Sequence, residues 1–347
     1  MVKVQKNTVL IVLLLLLCPN CVYMDRLSLI RFPIAAELEE FKRLFDSSLT
    51  SSNPLLDSVI SHIRQRNGKM MRPILVLLVA RLAGTIGPST LYAAVSLELL
   101  HTASLVHDDV VDESTERRGQ LSVNAIYNNK VSVLSGDYLL ATSLIYAGRT
   151  KNLDIIQVVS RLGQDLADGE LLQLSNVSNH SFSEDVYFDV IRKKTAALFA
   201  ACTHSAALSA GMGVPHADAA RLLGEYIGVC FQIKDDIFDY FDSEKIGKPT
   251  GNDMMEGKLT LPVLYALNTY GDEQAKSVAI KVKDGLATPD EIGYLIEYAK
   301  EKGGIEYAAK VMGEYKQKAL NILAELPTSE IRSSLEAYLH YVTDREI

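Results

Sequence analysis

The 347-residue chain has no tryptophan, only 7% aromatic residues, four cysteines and no excess of positive charge, its formal net charge being −8. Each shortage excludes something. Cys18, Cys21, Cys202 and Cys230 are too few and too scattered for a disulfide framework. Cys18-Pro-Asn-Cys21 is a CxxC, but no second pair completes a zinc site and no strand–helix context makes it thioredoxin-like. Cys202 and Cys230 lie in apolar helical sequence and read as core. An acidic chain without a basic tail is a poor partner for nucleic acid. The apolar run Val9–Leu17 is too short to span a bilayer, although it has the size of a signal-peptide core. No Gly/Ser linker or low-complexity tract divides the chain.

What is present is 48% hydrophobic residue in a chain long enough for one large core. Residues 1–23 do not conform to the rest. We expect Met24 to be the natural start of a cytoplasmic single-domain protein over 24–347, a signal-like segment being the other reading. From Ala35 the periodicity is helical: Leu38, Phe41 and Phe45 form a stripe, and Asn53-Pro54 precedes a helix over Leu55–Ile63. Ser181-Phe-Ser-Glu184 and Thr288-Pro-Asp-Glu291 both spell capping boxes, and Gly303-Gly304 is a stop. With no βαβ alternation and no hairpin signal, the expected fold is an all-α bundle with inward-facing sites.

The chain is organised around two acidic clusters. In Leu105–Gly119, Asp108 and Asp112 are four residues apart and share a helix face, with Asp109 turned away. Asp235, Asp236 and Asp239 repeat the spacing in Phe231–Asp239. Either cluster alone could be a solvated face. Both, however, follow apolar sequence at positions where acids oppose the helix dipole, so burial would be costly without a cation. Two clusters of one design therefore suggest two walls of one metal site. Lys69, Arg72, Arg117, Arg118, Lys194, Lys248 and Lys258 supply more positive charge than those carboxylates need, which suits a polyphosphate held between metal and base.

Asp108-Asp-Val-Val-Asp112 with Arg117-Arg118-Gly119, then Asp235-Asp-Ile-Phe-Asp239, with Gly68-Lys69-x-x-Arg72-Pro73 and Gly247-Lys248-x-x-Gly251-Asn-Asp253 around them, resemble the trans-isoprenyl diphosphate synthases. The resemblance runs from about Ala35 to the C-terminus. It implies a helical bundle around a deep cavity, usually a homodimer, that condenses isopentenyl diphosphate with an allylic diphosphate using Mg²⁺, roughly three ions per site. Asp108, Asp112 and Asp235 would bind the ions, with Asp109, Asp236 and Asp239 acting through water or neighbouring groups. Arg117, Lys194, Lys258 and Lys248 would hold the allylic diphosphate, and Lys69, Arg72, His101 and Arg118 that of isopentenyl diphosphate. Thr195 and Gln232 would be polar guides beside the cation, and Gly169-Glu170-Leu-Leu-Gln173 resembles another polar patch of the cavity wall.

Ala103 and Ser104, just upstream of the first cluster, are small where members with short products usually carry aromatics. The resemblance therefore points to long-chain synthases of about octaprenyl length, whose membrane-destined product serves quinone side chains. A shorter farnesyl or geranylgeranyl product, a phosphohydrolase built on His101, His107 and Asp108, and a non-catalytic partner subunit are the alternatives. The tail Thr343-Asp-Arg-Glu-Ile347 lacks the basic run that some farnesyl synthases fold over the site, so closure is expected to rest on Lys248 and its loop.

Overall fold

The computed structural model describes residues 26–65, 68–117, 119–241 and 250–345. The expectations for 1–23, and for Arg118 and Lys248, lie outside these residues. What is described is almost wholly helical. Short α1 (Arg26–Arg31) leads to α2 (Ala35–Ser48), α3 (Pro54–Arg64), α4 (Met71–Leu82) and α5 (Pro88–Val111). A short α6 (Val123–Tyr127) precedes α7 (Asn129–Arg149), α8 (Leu153–Val177) and α9 (Glu184–Ile191). After a π-helical turn at Arg192–Ala196 come α10 (Ala197–Ser209) and α11 (Val214–Phe238). The remainder is α12 (Asn252–Met255), α13 (Leu261–Tyr270), α14 (Glu273–Lys283), α15 (Pro289–Glu301), α16 (Gly304–Ala324) and α17 (Glu330–Thr343).

The helix α10 is the axis of the bundle. It is apolar all round and packs against α4, α5, α8 and α11, as a helix without a polar face must. Its alanines allow close approach, and α11 answers with Gly224 and Gly228, where any side chain would collide with α10 or the turn before it. α5 lies along α7, and α16 covers the outer side of α11. One apolar cluster surrounds α4, α5 and α10, and a second joins the C-terminal half of α11 to α13, α14 and α15. Both long helices that end in the acidic clusters are thus clamped along their length, which fixes where the carboxylates stand.

Local signals hold with two exceptions. Asn53 caps α3 by accepting from Leu55 and Leu56, and Thr288 and Glu291 form the expected capping box. Gly303, at φ 74°, ends α15. At residues 181–184 the expected box does not form. Ser183 is the cap, 3.3 Å from the Val186 amide, and Glu184 instead accepts the Tyr307 hydroxyl at 2.9 Å. A small antiparallel ladder, β1 (Glu116–Arg117) with β2 (Gln120–Leu121), also forms without an alternating pattern to announce it. Gly119 at φ 76° makes that turn possible.

Lys283, at the end of α14, is only 5% exposed and donates to the carbonyls of Asn176 (2.8 Å), Asn179 (3.0 Å) and Ser181 (2.7 Å). This ammonium ties down the loop that follows α8. Replacing it by methionine strands three carbonyls, so Lys283→Met should lose about 2–4 kcal/mol of unfolding free energy in urea titration; an unchanged midpoint would show that the clasp contributes nothing.

Candidate active site

α5 ends at the first acidic cluster and α11 at the second, and the six aspartates have different surroundings. Asp109 is fully buried and pairs with Arg117, which the β1–β2 turn brings back over the helix end. The intervening loop is knitted by Asn124, whose amide donates to the carbonyls of Asp109 (3.1 Å) and Ser114 (3.0 Å). Asp236, also buried, accepts from the Tyr187 hydroxyl at 2.5 Å and the Gln232 amide at 2.7 Å. Asp239 caps α12, its two oxygens each 3.0 Å from a backbone amide, those of Asn252 and Asp253. Asp235 is exposed, and Asp108 and Asp112 are half-buried.

Lysines stand between the two walls. Lys258 lies 3.7 Å from Asp112 and 2.5 Å from Glu256. Lys194 pairs with Glu170 and acts electrostatically on Asp108. Lys194 and Lys258 line a cavity of about 180 Å³ with Thr195, Gln232, Asp236 and Asp253. There the Thr195 hydroxyl donates to Gln232 Oε1 at 2.7 Å, so Thr195, Gln232 and Asp236 form one chain. Burial pushes the Asp108 carboxyl up to about 6, with Glu170 and Asp112 adding to the rise and Lys194 opposing it. Burial and mutual repulsion likewise raise Asp236 and Asp253.

A second cavity, of about 630 Å³, is basic. Lys69, Arg72, His101 and Arg117 line it, with Lys42 and Arg64 at its margin. Lys69 and Arg72 flank Met70, held in the left-handed conformation at φ 53° where α4 begins, and Arg31 donates to the Lys69 carbonyl at 2.6 Å. Although the tail lacks a basic run, its Arg345, which the sequence reading did not assign to the site, reaches this cavity. Its guanidinium stacks on Phe231 (4.6 Å) and Phe238 (5.5 Å), lies 4.0 Å from Asp235 and lines this cavity. Arg72 stacks on Phe199, the neighbour of Phe231. Among the described residues, buried nitrogens of Arg72 and Arg345 have no hydrogen-bond acceptor, which leaves donors for an anion. A single arginine in an acidic tail carries no local signal of this position.

A larger cavity, of about 920 Å³, opens between α8, α10 and α11 on the outer side of the bundle. Its rim mixes both signs of charge, and none of the acidic-cluster residues borders it. Ala103 is buried in the core, and Ser104 is half-buried with its hydroxyl on the His101 carbonyl at 2.9 Å.

Two carboxylate walls next to a basic cavity agree with the comparisons. The polyprenyl synthetase family model matches residues 53–299. The chain belongs to the polyprenyl synthetase family. It is a prenyltransferase with the helical fold of the trans-prenyl diphosphate synthases. It is 35% identical to the octaprenyl diphosphate synthase of Haemophilus influenzae over 86% of this chain and 91% of that one. Among solved structures it resembles the geranylgeranyl pyrophosphate synthase of Bacteroides thetaiotaomicron (66% identity, TM-score 0.83, covering 93% of this chain and 100% of that one). It also resembles the polyprenyl synthase of Caulobacter crescentus, complexed with calcium and isoprenyl diphosphate (31% identity, TM-score 0.86, 92% and 98%).

The donor set fits Mg²⁺ held through substrate. Among the described residues no three His, Cys, Asp or Glu side chains converge on one point. Mg²⁺ commonly takes one or two carboxylates and completes its shell with water and phosphate oxygens. Asp108 is a buried carboxyl whose charge is disfavoured until a cation arrives. The sign for stability follows. The folded value of about 6 exceeds the ordinary 3.8, so the folded state binds the extra proton and stability falls as pH rises through that window. The cost is about 3 kcal/mol once ionised. Metal-free protein should therefore melt lower at pH 7.5 than at pH 5.5, Asp108→Asn should flatten that slope, and Mg²⁺ should raise the melting temperature mainly above about pH 6. A slope unaltered in Asp108→Asn would refute the assignment.

Proposed function

We propose that this prenyltransferase condenses isopentenyl diphosphate head-to-tail with an allylic diphosphate, in a Mg²⁺-dependent reaction, to make a long all-trans polyprenyl diphosphate of about octaprenyl length. The observation that carries this reading is the division of the site into a cleft lined by Lys194, Lys258, Asp236 and Asp253, whose lysines act on Asp108 and Asp112, and a separate basic cavity. Two diphosphates need two cradles, and only the one whose C–O bond breaks needs the acids. In this reading Arg117, Lys194 and Lys258 grip the allylic diphosphate against Asp108, Asp112 and Asp235. Lys69, Arg72, His101 and Arg345 hold isopentenyl diphosphate; from outside the described residues Arg118 joins this cradle and Lys248 the allylic one. Mg²⁺, when bound, draws charge from the leaving diphosphate and so favours rupture of its C1–O bond toward an allylic cation.

The chain's own groups do the rest. Thr195 and Gln232 present oxygen dipoles to the cation, and Gln232 is oriented from both ends, by Thr195 and by Asp236. Tyr187 holds the other oxygen of Asp236, keeping that carboxylate out of the reaction path. After the double bond attacks, the proton lost from the new chain goes to the departing diphosphate, so no protein base is required. Fixing both diphosphates brings the reacting carbons together, which supplies much of the acceleration.

Small side chains at Ala103 and Ser104 favour the long product. Geranylgeranyl length is the second reading, favoured by the 66% identity to a protein described as a geranylgeranyl pyrophosphate synthase. Incubation with Mg²⁺, isopentenyl diphosphate and farnesyl diphosphate, read by mass spectrometry, should give a ladder ending near octaprenyl, and Ser104→Phe should shorten it. A ladder ending at geranylgeranyl in both proteins would select the second reading. No elongation from any allylic primer would reject the synthase.

A homodimer is the second part of the proposal. Leu134 (68% exposed), Tyr138 and Ile145 (57%) form a stripe along α7, with Val133 and Leu144 beside it. Such a continuous apolar face is rarely left to water. The face of α10 over Ala200–Ala207, by contrast, is used up inside the fold. Sedimentation should give twice the 38.2 kDa chain mass, and Ile145→Glu should shift it toward monomer; a wild-type monomer at micromolar concentration would dispose of the idea.

A further inference from the structure

The π turn at Arg192–Ala196 separates two adjacent lysines. Lys193 points outward to Asp168 at 2.5 Å, whereas Lys194 points inward to Glu170 and the cleft. Thr195, next in sequence, reaches Gln232. A π turn holds one residue more than an α turn, is wider, and persists only where its surroundings favour it. Here the surroundings are glycines on both flanking helices. A Cβ on Gly169 of α8 would lie 2.9 Å from Lys193 Cβ and 3.0 Å from the Lys194 nitrogen. A Cβ on Gly228 of α11 would lie 2.5 Å from Ala196 Cα, and one on Gly224 would lie 2.4 Å from the Phe199 carbonyl. Gly163, on α8 before Gly169, meets nothing within 4 Å. Gly169 and Gly228 thus lie against the wide turn, whereas Gly224 lies against α10 beyond it.

We propose that Gly169 and Gly228 are positioning residues for the condensation: they leave room for the π turn, and the register of that turn aims Lys194 into the allylic diphosphate cleft and sets Thr195 on Gln232. The proposal rests on the functional reading above. An α-helical register over the same residues would rotate the side chains beyond it by about 100°, turning Lys194 toward the Lys193 side and breaking the Thr195–Gln232–Asp236 chain. Of the lining of the basic cavity only Phe199 lies on α10; the other residues come from α2 to α5, the segment before α4, Arg117, Phe231 and the tail. The device thus acts chiefly on the allylic substrate.

Gly169→Ala is the variant of choice, because its Cβ would meet the Lys193 Cβ at 2.9 Å and the Lys194 nitrogen at 3.0 Å, so the turn itself must shift, whereas the contacts at Gly228 and Gly224 are closer still; Gly163→Ala on the same helix is the control. With isopentenyl and farnesyl diphosphates, Gly169→Ala should lose about 100-fold in kcat, as for a catalytic group misplaced by about 1 Å. Its KM for farnesyl diphosphate should rise while that for isopentenyl diphosphate stays within about twofold. Gly163→Ala should match wild type. Unchanged kinetics in Gly169→Ala, or equal effects on both KM values, would overturn the proposal. The crystal structure of Gly169→Ala reads the turn without turnover. A turn relaxed to α register with Lys194 withdrawn from Glu170 supports the proposal. A retained π turn refutes it, even in an enzyme that elongates nothing, an outcome that would instead count against the synthase reading.

Discussion

The constraint on which the structure depends is the mutual repulsion of carboxylates at the C-terminal ends of α5 and α11. Those ends already carry the negative pole of the helix dipole, and Asp108, Asp109, Asp112, Asp235, Asp236 and Asp239 add to it. The fold resolves most of this internally. Asp109 is neutralised by Arg117, Asp236 is held by Tyr187 and Gln232, and Asp239 is spent on the amides that start α12. That leaves Asp108, Asp112 and Asp235, the carboxylates proposed to meet the metal. Lys258 stands 3.7 Å from Asp112 and Arg345 4.0 Å from Asp235, and a divalent ion bridged to phosphate would compensate the remaining charge.

Holding such a set apart requires stiff supports, and the bundle supplies them by burying long helices against α10. The same close packing leaves no room for ordinary side chains at a few points, and there glycine appears. The π turn beside Gly169 and Gly228 is the point at which packing and chemistry meet. A wide turn that would be strained in isolation is accommodated by its neighbours, and in return it sets the register in which Lys194 meets Glu170 and Thr195 meets Gln232.

The helical class, the starts of α3 and α15 and the two acidic motifs were legible because each is a local property. The i, i+4 spacing of Asp108 and Asp112 places them on one face in any helix, and the Thr288–Glu291 capping box is closed within four residues. The box at Ser181 was misread because a distant hydroxyl, that of Tyr307, competes for Glu184. The small ladder around Gly119 lacked the alternation that marks a strand, since it is held by two pairs and by what Arg117 finds on Asp109.

The sequence by itself determined that a metal-bound polyphosphate suits the chain, through two aspartate motifs and the lysines and arginines around them, and the resemblance those motifs carry determined the reaction class. Only the tertiary structure decided how Asp236 and Asp239 are held, because hydrogen-bond partners such as Tyr187 and the Asn252 amide come from remote segments. It also decided that Arg345 belongs to the basic cavity, through stacking on Phe231 and Phe238 more than a hundred residues earlier in the chain. The physical reason is one of range. Periodicity and charge pattern act over a turn or two of helix, whereas pairing, stacking and the space allowed to a π turn are set by whatever the fold brings alongside.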